Sequence, residues 1–235
     1  MFVLGTEKQK SKLSNDTETL LATVSHDLKN PIVSVLLALE LLNNPKTSPL
    51  NDFQKEILDN ITNSLKYMRN LVVDILDSYR LDNHKYQMNK VRVNFIDFVQ
   101  SAIEDSKYIL SDKNQSLKFI VSIKNVFIDI DVLEMKRVIN NLISNASKYS
   151  PQYSKITVRV FEKNNFKCFS IENECFADIE STNIFEKFVT SNDNTNLIAT
   201  GLGLYIVKEI IIAHGGRIFI ERNAKNSVRL TFLIP

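Results

Sequence analysis

The chain has 235 residues, of which 44% are hydrophobic and 24% are charged, and its net charge is +2. This composition is typical of a soluble globular protein of one or two domains, and the near-neutral charge gives no reason to expect nucleic acid as a partner. No run of about 18 apolar residues occurs, so the sequence predicts no membrane span and a cytoplasmic location. Cys168 and Cys175 are too few for a disulfide framework and are expected to be reduced packing residues.

The first predicted element is a long amphipathic helix over residues 11–42. Its apolar residues recur every three or four positions and form one stripe: Leu13, Leu20, Val24, Leu28, Ile32, Val35, Leu39 and Leu42. His26 lies between stripe positions, so its ring should reach solvent. Pro31 crowds the carbonyl of Asp27, one turn earlier, and should bend the helix beside His26. A histidine at such a costly bend indicates a site, but a surface histidine in a kinked helix explains the segment equally well.

A second amphipathic helix is predicted after the turn-rich segment 43–49. Its stripe consists of Leu50, Phe53, Ile57, Ile61, Leu65, Met68, Val72, Ile75 and Tyr79. Two helices bury too little surface to be stable alone, whereas two copies of the hairpin would form a four-helix bundle. The pattern therefore predicts a homodimer through a helical domain at residues 11–83, with a linker at residues 82–85.

The remainder of the chain mixes helices and strands. Helices are predicted at residues 95–110, 132–149 and 204–213, and Asp131 with Glu134 suggests a capping box at the start of the second. Strands are predicted at residues 117–123, 126–130, 156–161, 166–171, 217–222 and 228–233. This order favours an α+β sandwich with helices on one face of a mixed sheet, in a second domain at residues 90–235.

Glycine is scarce and concentrated in one region. The chain has five glycines, and four of them are Gly201, Gly203, Gly215 and Gly216. Gly201 and Gly203 precede a predicted helix, where backbone N–H groups can hold phosphate. An ordinary tight turn is the alternative for these two. Gly215 follows the helix and fits a C-terminal cap.

Three segments in order resemble the motifs of the sensor histidine kinases of two-component signalling. Residues 25–31 (SHDLKNP) resemble the H-box, and residues 141–150 (NLISNASKYS) resemble the N-box. Residues 201–207 (GLGLYIV), followed by His214-Gly215-Gly216, resemble the second glycine box and the end of its helix. The resemblance covers nearly the whole chain. It implies a helical dimerisation and phosphotransfer domain followed by a GHKL-type ATP-binding α/β sandwich.

The resemblance assigns phosphoryl transfer to the H-box. It implies that the γ-phosphate of Mg-ATP passes to His26 and then to an aspartate in the receiver domain of a response regulator. A neutral imidazole is a competent nucleophile near neutral pH, and Asp27 can orient its other ring nitrogen. The family uses the position of Asn30 to hold water for dephosphorylation. Replacing His84 or His214 is expected to change labelling little, and a separate sensor protein is a further candidate partner.

The resemblance also implies a nucleotide site. Asn141 and Asn145 project from one helix face, and the family uses this pair as Mg²⁺ ligands, a role that suits amide oxygens. Lys148 continues that face and can reach a phosphate. Tyr149 could stack beside adenine, although an aromatic residue at a helix end is more often core. The other implied ATP contacts are Asn173, Thr200, Gly201, Leu202, Gly203 and Leu204.

The first glycine box departs from the family pattern. Asn173 stands where the family has an aspartate for the adenine amine, and Cys175 and Ala177 replace two glycines. A histidine phosphotransferase or pseudokinase scaffold with a degenerate nucleotide pocket is therefore the alternative function. The intact asparagine pair, Lys148 and the second glycine box favour a kinase. A chaperone or topoisomerase module of the same fold would lack the helix that carries His26.

Overall fold

A computed structural model describes residues 28–30, 32–42, 50–82, 88–124, 126–175, 183–189, 201–223 and 226–235. The described residues up to 82 form one compact unit, and those from 88 onward form a second. Within these residues no helix combines the length and apolar character needed to cross a bilayer. The domain limits 11–83 and 90–235 stay a prediction.

The first unit is helical. Residues 28–30 and 32–42 form α1, and Asp52–Asp82 form α2. A reciprocal capping box starts α2, because the Gln54 N–H donates to Asn51 Oδ1 at 2.8 Å and the Asn51 N–H donates to Gln54 Oε1 at 3.0 Å. Asp82 is the last residue of this helix, so the predicted linker begins one residue too early.

The apolar stripe of the second predicted helix remains uncovered in a single chain. None of its members is buried, and Phe53 at its start is 70% exposed. On α1, Leu39 is buried, whereas Leu28, Val35 and Leu42 of the predicted stripe are exposed. The helical unit therefore presents apolar side chains to solvent.

The described residues of the second unit form a five-stranded mixed sheet, a separate two-stranded pair and three helices. The elements are β1 Lys90–Asn94, α3 Phe95–Ser111, β2 Ser116–Val121, β3 Phe127–Asp131, α4 Val132–Tyr149, β4 Lys155–Lys163, β5 Phe166–Glu174, α5 Gly203–Ala213, β6 Arg217–Asn223 and β7 Ser227–Ile234. The sheet order is β2-β4-β5-β7-β6, in which β2 and β4 are parallel and the other neighbours are antiparallel, and β1 and β3 form a separate antiparallel pair.

One face of the sheet is apolar and packs against the helices. Ile156, Val158 and Val160 alternate inward along β4 and are fully buried. α4 contacts β5 and lies between α3 and α5. On the opposite face Glu172 accepts hydrogen bonds from Arg159 and Arg229 at 2.6 and 2.9 Å. This arrangement confirms the predicted α+β sandwich.

Two details differ from the sequence prediction. The prediction had no strand at Lys90–Asn94, because only Val91 and Val93 are apolar there and neither is fully buried. Asp131 does cap α4, accepting from the N–H groups of Leu133 and Glu134 at 3.2 Å each. The Asp131 N–H, however, donates to His214 Nε2 at 3.0 Å, so a histidine takes the place expected for the Glu134 side chain.

Candidate functional site

Of the predicted phosphotransfer residues, only Asn30 can be described. His26 and Asp27 lie outside the described residues, as do His84 and Pro31. Asn30 is exposed on α1, and its backbone carbonyl accepts from the Ser34 hydroxyl at 3.0 Å. Its helix position is therefore accessible to a partner.

The two N-box asparagines, Asn141 and Asn145, lie on the partly exposed side of α4. Its buried side, which includes Val138, Leu142 and Ala146, faces the core, while Asn141 and Asn145 keep part of their surface exposed. The adjacent Asn140 is turned toward α3, where its Oδ1 accepts from the Ser106 hydroxyl at 2.6 Å. The helix thus separates a structural asparagine from the two that were predicted to bind metal.

The glycine box meets the N-box at the start of α5. A Cβ added to Gly203 would lie 4.0 Å from Cγ of Asn141. α3 and α4 have side-chain caps from Asn94 and Asp131, whereas Leu202 at the N-cap of α5 supplies none. The first N–H groups of α5 consequently have no cap from that residue, and such groups favour an anion.

Gly201 closes a tight backbone contact. Its φ is +68°, and a Cβ at this position would lie 2.6 Å from the carbonyl carbon of Phe188. The Phe188 N–H donates to the Gly201 carbonyl at 3.0 Å, and Lys187 Nζ lies 4.8 Å from the ring centroid of Tyr205 on α5. Only glycine fits here without strain, and it holds the segment 183–189 against the start of α5.

The other predicted residues of the glycine box differ in exposure. Leu202 is fully buried, with no accessible surface, while Leu204 is partly exposed. Thr200 lies outside the described residues.

Lys148 and Tyr149 lie together in the last turn of α4, both partly exposed. Lys148 Nζ is 5.4 Å from the Tyr149 ring centroid. Burial, together with the nearby charge of Lys113, lowers the pKa of Lys148. A partly desolvated ammonium interacts more strongly with phosphate than one in bulk water does.

Asn173 is buried at the end of β5. Its Nδ2 donates to the Glu174 carbonyl at 2.9 Å, which orients the amide. Cys175 is buried too, and its N–H donates to the Asn226 carbonyl at 2.8 Å. Cys168 is likewise buried, so both cysteines are packing residues as predicted, while Ala177 lies outside the described residues.

Sequence reasoning missed the structural role of His214. Its Nε2 accepts from the Asp131 N–H, so Nδ1 carries the proton and donates to the Ile210 carbonyl at 2.8 Å. Burial, reinforced by the charge of Lys90, lowers the pKa of this buried imidazole against the opposing effects of Ile210 and Asp131. His214 thereby joins the end of α5 to the start of α4. The only local signal was its position before a glycine.

Gly215 ends α5 as predicted. Its φ is +79°, its N–H donates to the Ile212 carbonyl, and the Gly216 N–H donates to the Ile211 carbonyl. This pair of bonds is the Schellman motif.

The donor set suits Mg-ATP. Asn141 and Asn145 offer amide oxygens, and Mg²⁺ takes oxygen ligands. The start of α5 offers backbone N–H groups beside Asn141, and Lys148 adds a positive charge farther along α4. Oxygen ligands for a metal and N–H donors for phosphate are thus both present among the described residues.

Comparison with known proteins identifies two domain families. Residues 16–84 match the His Kinase A (phospho-acceptor) domain, and residues 130–235 match the histidine kinase-, DNA gyrase B- and HSP90-like ATPase. The chain is 28% identical over 237 residues to the sensor histidine kinase WalK of Bacillus subtilis, covering 97% of this chain and 38% of WalK. It is 29% identical over 244 residues to the sensor protein KdpD of Clostridium acetobutylicum, covering 99% of this chain and 27% of KdpD. The chain thus spans well under half of either relative.

Solved structures show the same fold. Full-length ShkA in complex with AMPPNP matches with a TM-score of 0.75 at 22% identity, covering 92% of this chain and 45% of ShkA. The histidine kinase ThkA in complex with the response regulator TrrA matches with a TM-score of 0.66 at 21% identity, covering 97% of this chain and 66% of ThkA. The second unit accordingly has the GHKL-type fold, and the chain belongs to the histidine kinases that join a His Kinase A phospho-acceptor domain to an ATPase domain of this type.

Proposed function

We propose that this chain phosphorylates itself on His26 from Mg-ATP and passes the phosphoryl group to an aspartate of a response regulator. The observation that carries the proposal is the meeting of Asn141 with Gly203: the side-chain amide carbon of Asn141 lies 4.0 Å from a Cβ built on Gly203, at the start of a helix whose N-cap residue Leu202 gives no side-chain cap. Phosphoryl transfer depends mainly on positioning and on stabilising negative charge, and these groups do both.

Each side chain has a defined task in this proposal. Asn141 and Asn145 would hold Mg²⁺, which supplies charge neutralisation at the phosphates when bound. The first N–H groups of α5 and Lys148 bind phosphate oxygens, and the oriented amide of Asn173 accepts from the adenine amine. His26 is the nucleophile, and Asp27 orients its ring.

The partners follow from the same family and from the helical unit. ThkA was solved with the response regulator TrrA, which supports a receiver domain as the phosphoryl acceptor here. The uncovered stripe on α2 supports a homodimer, because a second copy would bury Phe53, Ile57 and Met68 in a four-helix bundle. We assign the helical domain to residues 11–83 and the ATP-binding domain to residues 90–235, in the cytoplasm.

Labelling with γ-labelled ATP tests the kinase activity. The wild type should acquire acid-labile, base-stable label, and His26→Gln should acquire none while remaining dimeric. Asn145→Ala should lose Mg²⁺-dependent nucleotide binding while His26→Gln keeps it. Label that persists in His26→Gln would contradict the assignment of the nucleophile.

The altered first glycine box favours a second candidate, a histidine phosphotransferase or scaffold. A neutral amide at Asn173 accepts less strongly than a carboxylate, and the buried Cys175 fills space where the family has glycine. We expect Mg-ATP to bind about 10- to 100-fold more weakly than in an intact site, or about 1.4–2.8 kcal/mol. Combining Asn173→Asp, Cys175→Gly and Ala177→Gly should tighten binding and speed labelling, provided that the variant still folds.

The kinase proposal would fail, and the phosphotransferase proposal would replace it, if the wild type binds no nucleotide at millimolar Mg-ATP but accepts phosphate on His26 from a phosphorylated receiver.

A further inference from the structure

The last turn of α4 is closed by side chains from another part of the chain. Ser150 follows the helix in an extended conformation, with φ −91° and ψ 148°, and not in the left-handed conformation of a glycine cap. Lys113, in the turn between α3 and β2, donates from Nζ to the carbonyls of Ser147, Lys148 and Ser150 at 3.1, 2.7 and 3.2 Å. A positive charge at a helix C-terminus is also favourable to the helix dipole.

Gln115 binds the same turn without charge. Its Nε2 donates to the carbonyls of Ser147, Ser150 and Pro151 at 3.0, 3.3 and 3.0 Å, and its Oε1 accepts from the Ser147 hydroxyl at 2.6 Å. Gln115 is buried, whereas Lys113 is only partly so. Loss of Lys113 therefore leaves α4 anchored through Gln115, and a Lys113 variant is expected to fold.

Lys113 binds directly to the backbone of Lys148. Its shortest hydrogen bond is to the carbonyl of Lys148 itself, and the two ammonium groups repel each other. The backbone of Lys148 is thus fixed by Lys113, while burial and the nearby charge of Lys113 lower the pKa of the Lys148 side chain. A phosphate bound beside Lys148 would offset this repulsion.

We infer that Lys113 is a positioning residue for nucleotide binding, which fixes the last turn of α4 so that Lys148 meets the phosphates. The inference rests on the proposed function, in which Lys148 binds nucleotide. It differs from a purely structural role, because the effect of Lys113 on binding should pass through Lys148.

A double-mutant cycle tests this coupling. Calorimetry would measure Mg-ATP affinity for the full chain, Lys113→Met, Lys148→Ala and the double variant, with melting temperatures recorded for each. Lys113→Met should weaken binding about tenfold, as found for residues that orient a ligand-binding group, but should weaken it no further once Lys148 is alanine. Lys113→Arg should restore most of the affinity, since a guanidinium can also donate to several carbonyls.

Lys107→Met is the matched control. Lys107 lies near the same end of α3 and pairs on the surface with Glu104 at 2.6 Å, so its removal should leave affinity unchanged. If losses from Lys113→Met and Lys148→Ala simply add, or if Lys113→Met binds normally, the inference is wrong while the proposed function stands. A wild type that binds no nucleotide would overturn both.

Discussion

Replacing His214 with alanine should destabilise the second unit strongly. The Asp131 N–H would lose its acceptor at a position that is only 8% exposed, and a buried donor without a partner costs about 1–3 kcal/mol. The bond from Nδ1 to the Ile210 carbonyl contributes about 1 kcal/mol more. We expect a loss of about 2–4 kcal/mol, which lowers Tm by about 4–16 °C at about 2–4 °C per kcal/mol.

His214→Gln is the matched variant. The glutamine Oε1 can accept from the Asp131 N–H in place of Nε2, so part of the stability should return. Thermal or urea unfolding at neutral pH measures both variants against the wild type. The expectation drawn from the sequence, that replacing His214 changes labelling little, concerns phosphoryl transfer and makes no statement about stability.

The two hydrogen bonds of His214 also predict that the stability of the protein depends on pH. The folded protein holds His214 in its neutral form, so the pKa of His214 lies below the ordinary value of 6.5. The stabilisation that neutral His214 provides is therefore complete above pH 6.5 and is lost as the pH falls toward the lowered pKa. Between about pH 7 and pH 5 the wild type should lose more stability than either variant. Equal pH slopes for the wild type and His214→Ala would refute the reasoning.

Three further predictions concern the proposed site. Gly203→Ala should fold normally, because the new Cβ would meet only Asn141 at 4.0 Å, yet the variant should bind nucleotide more weakly. Gly201→Ala should instead lower Tm, because residue 201 has a φ of +68° and lies against Phe188. Equal nucleotide binding by Gly203→Ala and the wild type would place the phosphates elsewhere. Lys148→Ala should weaken triphosphate binding by about 1.5–3 kcal/mol in calorimetry, the cost of one charge-assisted contact, and diphosphate binding by less. Equal losses would count against a terminal-phosphate contact. Asn30→Ala should leave autophosphorylation near normal but slow dephosphorylation of the regulator, and an equal loss of both activities would make Asn30 structural.

Local signals accounted for most of the second unit. The helices at Phe95–Ser111 and Val132–Tyr149 were predicted within about two residues, because their caps and apolar periodicity lie within the helices themselves or beside them. The strand pairings could not be predicted, since the parallel register of β2 with β4 depends on contacts distant in sequence. β1 was missed because its segment has only two apolar residues and its pairing partner β3 lies beyond α3.

The residues of the candidate site also fall into those that motifs predicted and those that only the fold brings together. The motifs predicted that Asn141 and Gly203 belong to one site, and the structure brings them together. The bond between Asp131 and His214 joins residues 83 positions apart, so no short motif contains it. Lys113 and Gln115 occupy a turn with no distinctive pattern, and only the fold brings them to the end of α4.

If a second copy covers the apolar stripe on α2, as proposed, the two units should respond differently to dilution. A helical unit whose apolar side chains are covered by a second copy has a stability that depends on protomer concentration, because dilution favours separated chains. The second unit encloses its own core, with Phe95, Phe169 and Phe232 fully buried, and its melting has no such dependence. Heating at several concentrations would therefore shift one transition and leave the other in place, and protein abundance would set how much of the chain is competent to pass phosphate between its parts.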